Sequence, residues 1–417
     1  MKVAIVGAGF TGLSAGLKLS ERKVKVTIFE KEKTLGGLAS TFKLPSWQWA
    51  LEKHYHHWFT NDSYALDLIE KLGLKNRLIF PKTVTSIYRG GKIYPFNSPT
   101  DVLNFTPLSL WQRLATGLVT FYLKLLPAQQ ATNLERFTAW QWLEKYYGKE
   151  VFSILWKPLL SGKFGPFAKD VNMAWFWARI KKRTPKLGYL QGGYHLLLEA
   201  IAAQIKKDGG TIKFSTPFDP KISNQFDKII ATTPGAALLH IFPNLITTQY
   251  GFRLKSIPHL HALNLLIISK EKILPDTYWL NINEANYPFI AVVQHTNLVD
   301  KRHYAGNHIT WVANYLPPDH KYLQMTKEQL LKTYLPYLKK INPRFSFKSS
   351  VLGSELFLGP FAQPVFPINY SKIKPDFTTP IPNVFLANMD MVYPWDRGTN
   401  YAIELGEKVA NLLLQRK

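Results

Sequence analysis

Three glycines near the start of the chain have the spacing of a phosphate-binding turn. The residues Gly7-Ala8-Gly9-Phe10-Thr11-Gly12 fit the pattern G-x-G-x-x-G and follow the β-branched run KVAIV. In such a turn the first glycine permits a tight bend, the second lets the backbone approach a pyrophosphate, and the third allows a helix to pack closely on the strand. Amide groups at the start of that helix then bind the anion.

An acid and a second pair of glycines extend this pattern. Glu30 follows the alternating run 24–29 and lies about twenty residues after the turn, where a carboxylate holds a ribose hydroxyl. Gly36 and Gly37 come next, and a nicotinamide-binding unit does not require such a pair. Strand, turn, helix, strand and acid in this order predict a dinucleotide-binding unit.

Histidines and aromatic residues are concentrated at 47–59, which reads WQWALEKHYHHWF. The side chains of His54, His56 and His57 can move protons or contact a ligand, and packing inside a buried loop is the alternative. A metal site needs further ligands that do not accompany them, so no metal is predicted.

The composition fits a two-domain protein without thiol chemistry. The chain has 417 residues, 46% of them hydrophobic, and no cysteine. Disulfides, cysteine-ligated metal sites and thiol catalysis are therefore excluded. The chain begins with a predicted strand rather than a signal peptide, and no apolar run reaches the roughly twenty residues of a membrane span, so we expect a cytoplasmic protein.

The net charge of +24 is the other compositional signal. Such a field attracts anionic membranes, nucleic acids or phosphorylated substrates, but it also keeps a soluble protein dispersed. The basic clusters at 181–183, 206–207 and 339–340 are short and scattered, and no nucleic-acid-binding motif accompanies them. We therefore predict a small-molecule substrate and no nucleic-acid partner, and nothing in the sequence defines an oligomeric state.

The two ends of the chain resemble the flavin-dependent amine oxidase superfamily, and so does the segment 188–210. This superfamily includes amine oxidases, protoporphyrinogen oxidase, phytoene-type desaturases and, more distantly, UDP-galactopyranose mutase. The segment 383–410 reads NVFLANMDMVYPWDRGTNYAIELGEKVA, a predicted strand, the acid Asp390, a loop and a helix from about Asn400. This order is similar to the closing motif of the superfamily.

The resemblance implies that the dinucleotide is FAD, bound noncovalently because no cysteine is present for a cysteinyl link. The helix N-terminus near Gly398 would stabilise negative charge on the reduced flavin. The implied FAD contacts are Gly7, Ala8, Gly9, Phe10, Thr11, Gly12, Glu30, Lys31, Gly36, Gly37, Leu38, Phe218, Asp390, Gly398, Thr399 and Asn400. The chain departs from the usual pattern at Leu38, where many amine oxidases have arginine, at Asn388, which replaces a glycine, and at Arg397.

The same resemblance implies three catalytic positions. Trp395 falls near one wall of the aromatic cage of amine oxidases, and His57 lies in a stretch similar to the His-x-Phe-His of the mutases. Asn264 occupies the position of the lysine that bridges through water to flavin N5, which puts amine oxidation proper in doubt.

The predicted function is that of an FAD-dependent oxidoreductase that takes hydride from an amine or a hydrophobic small molecule onto flavin N5. The alternatives are a redox-neutral, UDP-galactopyranose mutase-like enzyme that uses reduced FAD on a sugar nucleotide, and a flavin-binding protein without turnover.

The elements that must position these residues follow from the resemblance. We expect an α/β fold with a Rossmann-like FAD-binding domain from segments 1–85, 187–250 and 365–417. Segments 86–186 and 251–364 form an interleaved α+β substrate domain. Between 101 and 148 the pattern is helical, with an apolar face that runs from Leu110 to Leu125. The resemblance favours a helix that walls a hydrophobic tunnel, and a peripheral membrane contact is the alternative.

Overall fold

The computed structural model describes residues 1–415. Arg416 and Lys417, the last two residues of the predicted segment 365–417, lie outside the described residues. The α-helices are Phe10–Glu21, Ser63–Lys71, Pro99–Leu103, Leu110–Leu125, Ala128–Ala131, Ala139–Tyr147, Lys149–Val151, Lys157–Phe164, Met173–Lys182, His195–Lys207, Gly235–Ile241, Gln249–Ser256, Lys327–Ile341, Phe347–Ser350 and Thr399–Gln415.

A parallel sheet forms the first layer of the fold. Its strands are rich in β-branched residues and mostly buried, as expected for a sheet covered by helices, except for the exposed edge strand Thr211–Lys213. In spatial order they are Thr211–Lys213, Lys25–Phe29, Lys2–Val6, Lys228–Ala231 and Val384–Leu386. The strand predicted at the start of the chain is therefore the centre of the sheet, and the predicted C-terminal strand is its edge.

The glycine turn leaves the central strand at its carboxyl end. Gly7 has a φ of +105°, which favours glycine, and helix Phe10–Glu21 begins three residues later. A Cβ on Gly12 would lie 2.0 Å from the carbonyl oxygen of Gly7, so the helix packs against the turn only because that atom is missing. The amide of Gly36 donates to the carbonyl of Ala8 at 2.9 Å, and this bond joins the glycine pair Gly36–Gly37 to the N-terminal glycine turn.

A second, mixed sheet forms the opposite layer. In spatial order its strands are Val351–Pro364, His259–Ser269, His308–Leu316, Ala291–Gln294, Trp279–Ile282, Thr85–Arg89 and Lys92–Pro95. The sequence predicts strands at 263–269, 289–293 and 308–314, and these overlap His259–Ser269, Ala291–Gln294 and His308–Leu316 of this sheet. Val351–Pro364, which carries two glycines and internal proline, and Trp279–Ile282 were not predicted, because turn-forming residues obscure the first and only four residues form the second.

Two small sheets and a helical insertion connect the layers. The small sheets pair Thr41–Phe42 with Leu51–Glu52, and Leu187–Leu190 with both Trp58–Phe59 and Leu78–Ile79. Helices between residues 99 and 182 pack around a separate aromatic core that includes Trp142, Trp156 and Trp175. Within residues 1–415 no helix combines the length and apolar character needed to span a bilayer.

The last helix closes the fold by packing on the first. A Cβ on Gly406, in Thr399–Gln415, would lie 2.3 Å from the carbonyl oxygen of Thr11. The two helix axes approach this closely only because residue 406 is glycine. The contact brings the C-terminal motif beside the N-terminal glycine turn.

Candidate active site

A cavity of about 1260 Å³ lies between the two layers. The carboxyl end of the parallel sheet forms one wall, where ligands of open α/β sheets bind. The mixed sheet and the helical insertion contribute the opposite wall through residues such as Asn264, Tyr315 and Lys163. Both ends of the chain therefore meet around one space.

Nearly all residues predicted to contact FAD line this cavity. They are Gly7, Gly9, Phe10, Thr11, Glu30, Lys31, Gly36, Gly37, Leu38, Phe218, Asp390, Gly398, Thr399 and Asn400. Ala8 and Gly12 do not line the cavity, but both belong to the turn that borders it. The carboxylate of Glu30 accepts hydrogen bonds from the amides of Ala8, at 2.7 Å, and Glu32, at 2.9 Å. Glu30 thus holds the turn beside the cavity.

The C-terminal motif is fixed by hydrogen bonds from distant elements. His259 Nε2 contacts Asp390 Oδ1 at 2.6 Å, and the Asn388 amide donates to Asp390 Oδ2 at 3.0 Å. The amide group of Ala65 donates to Asn400 Oδ1 at 3.1 Å. The first two bonds fix Asp390, and the bond to Asn400 anchors the start of helix Thr399–Gln415 beside the cavity, where the helix dipole favours negative charge.

The three histidines of the loop also line the cavity. Burial, assisted by nearby positive charges, lowers the pKa of His54 and of His57 to about 3. Burial likewise lowers the pKa of His56 to about 4, although its hydrogen bond to the carbonyl of His54 opposes this shift. The amide of Asn264 donates to His54 Nδ1 at 2.8 Å, so the ring proton of His54 is on Nε2. All three rings are therefore neutral at physiological pH. Within residues 1–415 no three potential ligands converge as a metal site.

A group of charged side chains that was not predicted lies in the opposite wall. Asp396 contacts the guanidinium of Arg179, lies 3.8 Å from Lys163 Nζ and lies 3.6 Å from Arg397. Arg397 also donates to the side chains of Gln363 and Tyr315. The residues of this group come from separate elements of the chain, so no local sequence pattern predicts the group.

The charges in this group alter one another. Burial raises the pKa of Asp396, but Lys163, Arg179 and Arg397 outweigh that effect and hold the pKa below its ordinary value. The pKa of Lys163 falls well below its ordinary value through burial and the positive charges of Arg179, Arg397 and Arg183, although Asp396 opposes the fall. Asp396 is thus ionised among an excess of cations.

Comparison with known proteins assigns the family. Residues 10–414 match the family described as flavin containing amine oxidoreductase. The chain belongs to this family. The prediction of a flavin-dependent oxidoreductase is confirmed at this level.

Individual relatives are distant from this flavin-containing amine oxidoreductase. Mitochondrial protoporphyrinogen oxidase of Nicotiana tabacum is 26% identical over 175 residues, which cover 41% of this chain and 34% of that protein. Matches to the first curated relatives span about a third of their length.

Solved structures share the fold. A reduced UDP-galactopyranose mutase superposes with a TM-score of 0.76 and 15% identity, over 100% of this chain and 96% of that one. Cyclohexylamine oxidase of Brevibacterium oxydans IH-35A has a TM-score of 0.74 and 14% identity, over 100% and 99% of the two chains. At these identities the similarity confirms the predicted α/β fold with interleaved layers. The predicted domain boundaries stay predictions.

Several predicted substrate contacts occupy other places in this amine oxidoreductase. Trp395 does not line the cavity. Its ring lies parallel to that of Tyr401 at 6.0 Å and near Trp177 at 5.4 Å, whereas Tyr401 itself lines the cavity. The sequence also offers Trp279, His295, Thr296, Asn297 and Tyr315 as polar or aromatic residues that could face the substrate. Of these, Trp279 and Tyr315 line the cavity and the other three do not.

The structure corrects the prediction that helix Leu110–Leu125 walls a hydrophobic tunnel. No residue of helix Leu110–Leu125 lines the cavity, and only Thr116 and Leu123 of that helix are buried. The predicted apolar face instead lies exposed on the surface. Helical periodicity identified the face but carried no information on what covers it.

Glu52 supports the histidine loop from the protein interior. Its carboxylate accepts from the Tyr189 hydroxyl and the Tyr194 amide, both at 3.0 Å. The Tyr194 ring stacks on Trp58 at 3.9 Å, and Trp58 Nε1 donates to Thr399 Oγ1 at 2.9 Å. Burial raises the pKa of Glu52 to about 7, against the opposing effect of these hydrogen bonds.

We expect Glu52→Gln to flatten the pH dependence of stability. The folded protein keeps the Glu52 proton up to about pH 7, whereas the unfolded chain loses it near 4.5. As the pH rises from 4.5 to about 7, the free energy of unfolding of the wild type therefore falls by up to about 1.4 kcal/mol per pH unit. Urea unfolding across this range measures the difference, which should favour the variant as pH increases. The exposed Glu199→Gln is the matched control, and parallel curves for Glu52→Gln and wild type would contradict the assignment.

Proposed function

We propose that the cavity binds FAD noncovalently, with the pyrophosphate at the N-terminal glycine turn and the flavin beside the start of helix Thr399–Gln415. The observation that carries this proposal is one continuous cavity lined by both glycine-bearing ends of the chain. The donor set fits the group, because the turn lacks the Cβ atoms that would fill it and a helix begins there. Phe218, buried against Phe29 at 5.3 Å, would contact the adenine side of a bound FAD.

The residues of the chain orient the substrate and control charge. A bound FAD supplies the hydride acceptor. The dipole of helix Thr399–Gln415 favours negative charge on that side. Neutral His54, fixed by Asn264, lines the cavity without adding a charge. The proposed substrate is an amine or a hydrophobic small molecule that lies between the histidine loop and the opposite wall.

A second candidate is a redox-neutral reaction on a sugar nucleotide, as in the mutase. The cationic wall around Arg397 favours it, since nucleotide phosphates are anionic.

Gly9→Ala tests the FAD site without disturbing the fold. Gly9 has an ordinary φ of −77°, and a Cβ there would meet nothing closer than Gly36 O at 3.9 Å. It would, however, occupy the space through which the pyrophosphate approaches. We expect unchanged thermal stability and FAD affinity lowered by about tenfold or more, equivalent to about 1.4 kcal/mol. Fluorescence titration of the apoprotein with FAD measures this, with Gly117→Ala as control, and wild-type affinity in Gly9→Ala would contradict the placement.

Anaerobic mixing distinguishes the two reactions. FAD-loaded protein is mixed without oxygen with cyclohexylamine, protoporphyrinogen or a polyene, and the visible flavin absorbance is followed. Bleaching by one of them is the expected result, because oxidation of the substrate reduces the flavin. Turnover of UDP-galactopyranose only after reduction with dithionite would support the second candidate instead. If a broad substrate panel gives neither of these results, both reactions are contradicted.

We also propose that helix Leu110–Leu125 rests on an anionic membrane surface. It exposes a continuous apolar face formed by Leu110, Trp111, Leu114, Leu118, Phe121 and Leu125. Basic groups border its end, since Lys124 Nζ donates to the carbonyl of Arg183 at 2.6 Å and Lys181 Nζ to that of Lys124 at 2.7 Å. An apolar face with adjacent cations matches the interface of anionic lipids.

Vesicle binding tests this surface. Leu118→Gln with Phe121→Gln should weaken co-sedimentation with vesicles of phosphatidylglycerol and phosphatidylcholine by about tenfold or more, because two apolar side chains no longer insert. Phe252→Gln with Leu352→Gln, also exposed, is the matched control. High salt should weaken wild-type binding. Absence of wild-type binding, or equal loss in both double variants, would contradict the proposal.

A further inference from the structure

The cavity wall opposite the glycine turn carries more positive than negative charge. Its basic side chains are Lys163, Arg179, Lys182, Arg183 and Arg397, whereas its acidic ones are Asp62 and Asp396. Resting on the proposed function, we infer that this wall binds an anionic group of the substrate, a carboxylate or a phosphate. The inference specifies the substrate class of the same site.

The single negative charge of Asp396 does not balance the positive charges around it. It contacts Arg179 closely, but Lys163 Nζ is 3.8 Å away, beyond hydrogen-bond distance. The Lys163 ammonium lies 5.2 Å and 5.4 Å from the ring centroids of Trp175 and Tyr315, which offer π faces and no charge. Among the hydrogen bonds of residues 1–415 none is formed by Lys163 Nζ, so its N–H donors are available to a ligand in the cavity that Lys163 lines.

Most of the contacts of Arg397 are with neutral groups. Its guanidinium donates to Gln363 and Tyr315, and its only acidic neighbour in the described part of the chain is Asp396 at 3.6 Å. One carboxylate is therefore shared by Lys163, Arg179 and Arg397. A buried charge without a full counter-charge is costly, and an incoming anion would remove that cost.

The remaining lining identifies the rest of the ligand. Pro158, Leu159, Ala178 and Ile290 give apolar surface beside the cations. A ligand that matches both features has an apolar body and one anionic group. The same positive field opposes a substrate ammonium group, so of the two proposed substrate classes this wall favours the hydrophobic small molecule over a simple cationic amine.

Calorimetric titration of FAD-loaded, oxidised protein tests the inference. The ligands are benzoate, phenyl phosphate, benzamide and benzylammonium, which share an apolar ring and differ in charge. At fixed ionic strength we expect at least one anion to bind about tenfold or more tightly than benzamide, and benzylammonium to bind more weakly than benzamide. The benzoate and phenyl phosphate arms distinguish a carboxylate site from a phosphate site. Equal affinity for anions and benzamide would overturn the inference.

Two variants connect the binding to the wall. Lys163→Met and Arg179→Gln should each lower anion affinity by about tenfold while benzamide affinity and FAD content stay as in wild type. Lys181→Gln is the control, because Lys181 does not line the cavity and its Nζ reaches the carbonyl of Lys124. If Lys163→Met does not fold, Arg179→Gln decides. Equal loss in the control would overturn the inference.

The two proposals fail in different ways. Protein that takes up no FAD contradicts the proposed function. Protein that takes up FAD but shows no charge preference contradicts only the anion site.

Discussion

Close packing of the first and last helices is the constraint on which the rest of the structure depends. Gly12 has no room for a Cβ against the turn, and Gly406 has none against the carbonyl of Thr11. Any larger residue at either position separates the helices or distorts the turn. Because this contact is short, the start of the last helix lies at the cavity that the first glycine turn borders.

The motifs that were predicted from the sequence are those whose physical requirements are local. A tight turn needs Gly7 because its φ is positive, and an amphipathic helix or an alternating strand reveals its period within a dozen residues. The structure therefore confirms the parallel strands and brings the FAD-contacting candidates together around one cavity. The order of the motifs, more than any single motif, indicated the fold.

The charged wall and the exposure of the surface helix could not be predicted from the sequence, because both depend on which elements meet in the folded protein. Lys163, Arg179 and Asp396 meet although more than two hundred residues separate the last from the others. In the sequence, Lys163 lies between Gly162 and Gly165, and Arg179 lies in a run of aromatic residues, so no local pattern indicates that either belongs to a site. Likewise, an apolar stripe such as that of Leu110–Leu125 specifies a buried face only if another element covers it.

The neutrality of the histidine loop and the charge of the opposite wall are two parts of one electrostatic arrangement. Asn264 stands where the superfamily resemblance places a lysine, and its amide donates to His54 at 2.8 Å. A lysine there would add another cation to a cavity already rich in them, and would lower the pKa of His54 further. A neutral amide instead orients the imidazole through a hydrogen bond. A neutral residue at position 264 thus keeps the histidine loop uncharged, while the cations around Asp396 direct negative charge on a ligand toward Lys163 and Arg397.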